Sequence, residues 1–156
     1  KLEEKKIKLK YVDIDLIIEK REKKTIREIF NKKGESYFRK IEEEICLEIL
    51  EKCNSVIALG GGAFINSNIR EEILISQHCI SFWLDVKPPL LQLRLKNVKK
   101  RPLLTFNKLE QDIKKIYNKR KKIYNEANFR IPIYVENKEE IVNHIYRLYK
   151  DGSRSF

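Results

Sequence analysis

Three of the chain's five glycines stand together at the end of an apolar run, Val56-Ile57-Ala58-Leu59-Gly60-Gly61-Gly62-Ala63. Each glycine surrenders more backbone entropy on folding than an alanine would, roughly 0.5–1 kcal/mol, so a cluster needs a positional reason. Two reasons are open: positive φ in a tight turn, or bare backbone that lets another group come close. The apolar run reads as a buried parallel strand, and ligands of open α/β sheets bind beyond the carboxyl ends of such strands. The turn is therefore a candidate active-site wall. A second short apolar segment, Leu9, Tyr11, Val12 and Ile14, closes on Asp13 and Asp15, so it also delivers carboxylates at a strand end. An Asp-x-Asp at a strand end also suits N-capping of the helix that follows, which Asp15 is placed to do. Taken alone, Arg39 reads as a helix-flank residue beside Glu35 or Glu43, and Arg120 as one member of the basic run Lys119-Arg120-Lys121-Lys122.

The elements that would position these groups alternate between strand and helix. A short amphipathic helix is expected over 15–22, and Thr25 with Glu28 three residues on forms a capping-box pattern for the next. Gly34 then punctuates. From Ser36 to Cys53 the spacing of Phe38, Ile41, Ile45, Ile49 and Cys53 marks one apolar helical face. Asn66 or Ser67 can cap a helix through Ile75, and Cys79 to Leu84 reads as a strand ended by Asp85. Pro88 and Pro89 suit a helix start, continued to Lys96. The basic, proline-containing stretch 97–108 has no apolar periodicity and a lid-like composition. A long charged helix follows to about Glu126, then a strand Ile131 to Val135, a closing helix Lys138 to Tyr149, and a frayed tail from Asp151. This order predicts an α/β fold, a parallel β-sheet flanked by helices on both faces, in a single domain over 1–156.

Composition narrows the partners. A net charge of +11, from 34 basic and 23 acidic residues, would suit a nucleic acid, but the lysines are spread over nearly every expected helix and the aromatics form no stacking platform. An anionic small molecule is the better-fitting ligand, and no nucleic acid partner is expected. No apolar run approaches the roughly 20 residues of a membrane span, and the charged start of the chain has no secretory pattern. Cys46, Cys53 and Cys79 show no metal-like spacing, so they are expected to be reduced, mostly buried thiols of a cytoplasmic protein, with no zinc site. Nothing in the sequence demands more than a monomer.

Combined in order along the chain, the glycine turn, Asp13-Ile-Asp15, Gly34-Glu35-Ser-Tyr-Phe38-Arg39, Glu42, Arg101-Pro102-Leu103-Leu104 and Arg120 resemble shikimate kinase, a P-loop kinase-like family. The resemblance runs over nearly the whole chain and includes Ile26-Arg27-Glu28-Ile29-Phe30. It implies ATP-dependent phosphorylation of a shikimate hydroxyl, with ATP and Mg²⁺ required. Residue by residue, it implies that Arg39 and Arg120 hold the shikimate carboxylate, that Asp15 orients the attacking hydroxyl or takes its proton, and that Gly60, Gly61 and Gly62 line the acceptor. It further implies that Asp13 lies near the magnesium, that Glu42 holds Arg39, and that Phe30, Phe38, Pro102 and Leu103 form apolar walls. Arg101 is expected to reach the ATP phosphates from the lid, and Arg94, or the turn at Asn137 and Lys138, to flank the adenine.

One family feature is missing. No Gly-x-x-x-x-Gly-Lys-Ser/Thr run occurs in the 156 residues, and Ala63-Phe64-Ile65 after the glycines supplies no phosphate lysine. The family places the strand before that loop in the middle of the sheet. Its loss would leave two strands with unpaired backbone edges, and the chain also has no methionine. The expectation is a stretch upstream of Lys1, without which these 156 residues would be inactive. The alternatives are a shortened, non-catalytic binding relative, or a related kinase acting on gluconate.

Overall fold

A computed structural model describes residues 9–52, 54–96, 109–134 and 137–152. It divides the chain into two compact units, Lys1–Cys79 and Ile80–Phe156. Both follow the same plan: a strand, two helices in the crossover, a strand paired parallel to the first, and a further helix.

In the first unit, β1 (Lys10–Asp13) pairs with β2 (Ser55–Ala58), with Tyr11 opposite Val56 and Asp13 opposite Ala58. Asp13, at the end of β1, N-caps α1 (Ile14–Glu22) by accepting from the Leu16 N–H at 3.3 Å. The capping role thus falls to Asp13 and not to Asp15, which enters the first turn of α1. The reason is backbone geometry: Asp13 keeps the extended φ/ψ that an N-cap requires. Thr25 and Glu28 form the expected capping box at the head of α2 (Ile26–Leu50). Gly34, at φ 81° and ψ 171°, breaks α2 into two helical stretches. The helix stops at Leu50, short of the expected Cys53, which lies outside the described residues. After β2 and the glycines come a 3₁₀ turn, Ala63–Ile65, and α3 (Ser67–Ile75), capped by Asn66. Ile14 and Ile18 of α1, Ile29, Phe38, Ile41 and Ile45 of α2, and Ile69 and Ile73 of α3 are buried. Each fully buried isoleucine contributes about 1.5–3 kcal/mol by leaving water. β2 itself is half-buried rather than buried.

In the second unit, β3 (Phe82–Val86) pairs with β4 (Phe129–Ile133). Both strands are shifted from the expected 79–84 and 131–135, because the register is set by a latch just before it. Asn128 Oδ1 accepts from the Ser81 N–H at 2.9 Å and hydroxyl at 2.7 Å, while the Ser81 hydroxyl accepts from the Asn128 N–H at 3.0 Å. The first pair, Phe82 and Phe129, then stacks at 5.4 Å. One face of the pair carries Val86, Ile131 and Ile133, packed against Leu90 and Leu91 of α4 (Pro88–Lys96) and Ile141, Ile145 and Leu148 of α6 (Lys138–Gly152). Trp83 and Asp85 alternate onto the opposite face, where Tyr117 and Tyr124 of α5 (Leu109–Tyr124) meet them. Asp151 and Gly152, expected to open a frayed tail, belong to α6, and the rest of that tail lies outside the described residues.

The result is α/β with parallel strands and helices on the strand pairs. Among the described residues β2 and β3 do not pair with each other, so each unit keeps its own two-stranded sheet.

Candidate active site

Gly34 ends one helical stretch so that another can begin at Glu35. On it Glu35, Phe38, Arg39 and Glu42 fall at i, i+3, i+4 and i+7, a single face. That face turns its polar members onto the glycine turn. A Cβ on Gly60 would lie 2.8 Å from Glu42 Oε1 and 3.0 Å from Asp15 Oδ1. A Cβ on Gly62 would run into the Arg39 guanidinium, 2.7 Å from Cζ and 2.8 Å from Nη2. Of the described glycines only Gly34 has positive φ. The glycine cluster therefore serves close approach, and the approaching groups are the chain's own Asp15, Arg39 and Glu42.

Arg39 is held firmly. Its Nη1 donates to Glu42 Oε2 at 2.6 Å, while Nε and Nη2 donate to Glu35 Oε1 at 3.3 and 3.2 Å. Glu42 is 1% exposed, whereas the Glu35 side chain is about half exposed. Burial works against the Arg39 charge, but the hydrogen bonds and charges of Glu42, then Glu35, outweigh it and raise its pKa above the usual value. The guanidinium also lies over the Phe38 ring at 5.1 Å, and Phe38 in turn meets Phe30 at 4.7 Å. Glu43 is not an Arg39 partner; it accepts from Asn66 and Asn68 at 2.7 and 2.6 Å, which lower its pKa and tie α2 to the start of α3. Below the cluster, burial first, then the charges of Glu42 and Asp15, push the Cys46 thiol up to about 12, so it stays protonated and inert.

Asp13 is half-buried at the end of β1. Besides its cap bond it accepts from the Tyr11 hydroxyl at 3.3 Å. Among the described residues no group of three or more His, Cys, Asp or Glu is arranged to hold a metal.

The second unit places Arg120 on the inward stripe of α5. Lys119, Lys121 and Lys122 are exposed and Arg120 is half-buried, so the helix separates it from the basic run in which it is written. Arg94 is exposed on α4. Arg101, Pro102, Leu103 and the expected lid over 97–108 lie outside the described residues.

Sequence reasoning missed a buried charge centre. Asp85, expected to end its strand, sits inside β3 with no exposure. Its Oδ1 accepts from the Tyr117 hydroxyl at 2.8 Å, and its Oδ2 from Lys87 at 2.6 Å and from Arg130 Nε and Nη2 at 2.9 and 2.7 Å. Burial alone would raise its pKa; the bonds from Lys87, Tyr117 and Arg130 reverse that and lower it. The signal was Lys87, two residues on. Tyr117 and Arg130 lie too far along the chain to be seen from it.

Comparison with known proteins matches residues 4–150 to the family model for shikimate kinase. The shikimate kinase of Persephonella marina is 40% identical over 146 residues, 93% of this chain and 86% of that protein. The structure of shikimate kinase from Acinetobacter baumannii in complex with shikimate superposes with a TM-score of 0.85 at 28% identity, over 92% of this chain and 79% of that one. Shikimate kinase from Bacteroides thetaiotaomicron gives 0.79 at 30% identity, over 94% and 85%.

Proposed function

The chain belongs to the shikimate kinase family, and we propose that Asp15, Arg39, Glu42 and the Gly60–Gly62 turn form the acceptor side of its site. The reaction is transfer of the γ-phosphoryl group of ATP to a shikimate hydroxyl, a step of the shikimate pathway. Neither gluconate as acceptor nor a purely non-catalytic role is favoured by these matches. The observation that carries the acceptor assignment is the packing of Asp15, Glu42 and Arg39 onto bare glycine backbone.

Shikimate has one carboxylate and three hydroxyls. Arg39 presents a fork already aligned by Glu42, so little rotamer freedom is lost when it grips the carboxylate. Glu35 holds the outer edge of that fork through longer bonds and is half exposed, which suits a carboxylate that gives way to the substrate. Arg120 is the second guanidinium of the pair; its half-burial on α5 supports that reading. Asp15 accepts from the attacking hydroxyl and orients it. In a loose phosphoryl-transfer transition state alignment and charge stabilisation matter more than proton removal.

ATP is the second substrate. Arg101 is assigned to its phosphates and 97–108 to a lid that excludes competing water, within one catalytic domain over 1–156. Arg94 is assigned to the adenine side. Asp13 fits Mg²⁺ as a hard oxygen donor, because its two bonds, both 3.3 Å, leave acceptor sites on the carboxylate. A single carboxylate acting through water is a common way to hold this ion. Bound there, Mg²⁺ would neutralise charge on the transferring phosphates.

Steady-state kinetics test the assignment. Arg39→Ala in the intact protein is expected to raise the shikimate KM by roughly 10- to 100-fold, with the ATP KM within about two-fold of wild type. Asp15→Asn is expected to lower kcat by about 100-fold or more with an unchanged circular dichroism spectrum. Equal loss of shikimate and ATP binding in the first variant, or normal turnover in the second, would remove these residues from their roles.

A further inference from the structure

Arg120 stands between two anchors. The inward stripe of α5 runs through Ile113, Ile116, Tyr117, Arg120, Ile123 and Tyr124. Tyr117, one turn before Arg120, donates its hydroxyl proton to Asp85 and accepts from Lys87 at 3.3 Å, so both functions of the hydroxyl are used. Tyr124, one turn after Arg120, meets the Trp83 ring edge-on at 5.9 Å. Trp83 and Asp85 are alternate residues on the same face of β3, and Arg130 of β4 ties them together. Its guanidinium lies 5.1 Å over the Trp83 ring while its Nε and Nη2 donate to Asp85.

The polar anchor and the aromatic anchor have different consequences. An aromatic contact tolerates sliding and rotation, since its energy varies slowly with geometry. A hydrogen bond to a buried carboxylate held by two cations does not: its distance and angle are fixed, and breaking it leaves a buried charge less well satisfied. Tyr117 and Arg120 lie three residues apart on one helix, so a shift at the first is passed to the second through rigid backbone.

We propose that Asp85, acting through Tyr117, is a positioning residue for shikimate binding: it fixes the rotation and axial placement at which α5 presents Arg120. The proposal rests on the reading of Arg120 as a ligand of the substrate carboxylate. It assigns Asp85 no contact with substrate, and it explains why a charged group is kept in the interior of a strand where a hydrophobic one would pack at lower desolvation cost.

A double-mutant cycle on the intact protein tests it, with the shikimate KM, the ATP KM, kcat and thermal midpoint read for each form. Tyr117→Phe keeps the ring and removes only the hydroxyl. It is expected to raise the shikimate KM by about three- to ten-fold, leaving the ATP KM within about two-fold. Arg120→Ala should raise the shikimate KM by about ten-fold or more, and adding Tyr117→Phe to it should change the KM by less than about two-fold, since there is no longer a guanidinium to misplace. Asp85→Asn, which can turn its amide oxygen to Lys87 and Arg130 and still donate from its NH2 to the Tyr117 hydroxyl, should raise the shikimate KM less than Tyr117→Phe does. If Arg120→Ala leaves the shikimate KM unchanged, the assignment of Arg120 falls and this proposal with it. If Arg120→Ala acts as expected but Tyr117→Phe is silent, acts equally on ATP, or keeps its full effect in the double variant, only the positioning role is overturned. A larger effect of Asp85→Asn than of Tyr117→Phe overturns the route through Tyr117.

Discussion

At Gly60 and Gly62 the difference between a hydrogen and a methyl group decides where three charged side chains sit. A methyl at Gly62 would overlap Arg39, a flexible residue that can swing away. Moving it, however, gives up the 2.6 Å pair with Glu42, a carboxylate 1% exposed, so the relief of one clash weakens a buried charge pair. A methyl at Gly60 instead meets Glu42 Oε1 and Asp15 Oδ1. The two substitutions should therefore differ in kind. Gly62→Ala is expected to raise the shikimate KM by roughly ten-fold with a smaller change in kcat, whereas Gly60→Ala lowers kcat by at least that factor because it displaces Asp15. Each should also cost about 1–3 kcal/mol of stability through overpacking. Kinetics of the two alanine variants check this, and a Gly62→Ala protein with the wild-type shikimate KM would show that Arg39 need not stay on the turn.

The second stretch of α2 is the element that delivers Arg39 and Glu42, and its start is set by Gly34. With φ 81° and ψ 171° this residue occupies a region of backbone space almost closed to side-chain-bearing residues. Nothing lies within 4 Å of a Cβ built there, so substitution meets backbone strain without any packing clash. Gly34→Ala is expected to cost about 1–3 kcal/mol, a fall of several degrees in thermal midpoint, and to raise the shikimate KM as the stretch carrying Arg39 reorients. An alanine variant as stable as wild type would mean that the kink is not needed. The kink itself was legible in the sequence, as were the Thr25 capping box, the Asn66 cap and the helical face of Phe38, Ile41 and Ile45, because each depends on neighbours within one or two turns. The bounds of β3 and β4 were not, since the latch joins Ser81 to Asn128 across 47 residues. The same limit hid Asp85: a carboxylate after an apolar run looks like a strand end until Arg130, 45 residues on, is known to face it. For the candidate site, residue types were legible and partners were less so. Glu42 was read correctly as the holder of Arg39, while Glu35 and Glu43 could be told apart only once the helical face was oriented.

Charge is the property of the whole molecule that most distinguishes this chain, and Asp85 shows how it is managed. With 34 basic and 23 acidic residues the protein repels itself, and every carboxylate that takes up a proton adds to the imbalance. Several acids have pKa values lowered by folding: Asp85, where burial is outweighed by Lys87, Tyr117 and Arg130; Glu22, chiefly through Lys33; Glu28, through Thr25; Glu43, through Asn68 and Asn66; and Glu48, through Lys52. For a group whose folded pKa lies below its unfolded value, the unfolded chain binds the proton first. The stabilisation is therefore present above the unfolded pKa, about 4, and is lost as the pH falls through the lower folded value. Glu28 and Glu48 are exposed and Glu22 and Glu43 only partly buried, so Asp85, fully buried among two cations and a hydroxyl, should dominate the acid limb. Asp85→Asn removes the titrating group and leaves Lys87 and Arg130 facing a neutral amide. Thermal midpoints of the two proteins should be furthest apart near pH 7, stay apart down to about pH 4, and converge below it as the wild-type carboxylate is protonated. A gap that keeps the same width from pH 7 to pH 3 would mean that the ion cluster contributes nothing to acid sensitivity, and that the net charge alone drives unfolding in acid.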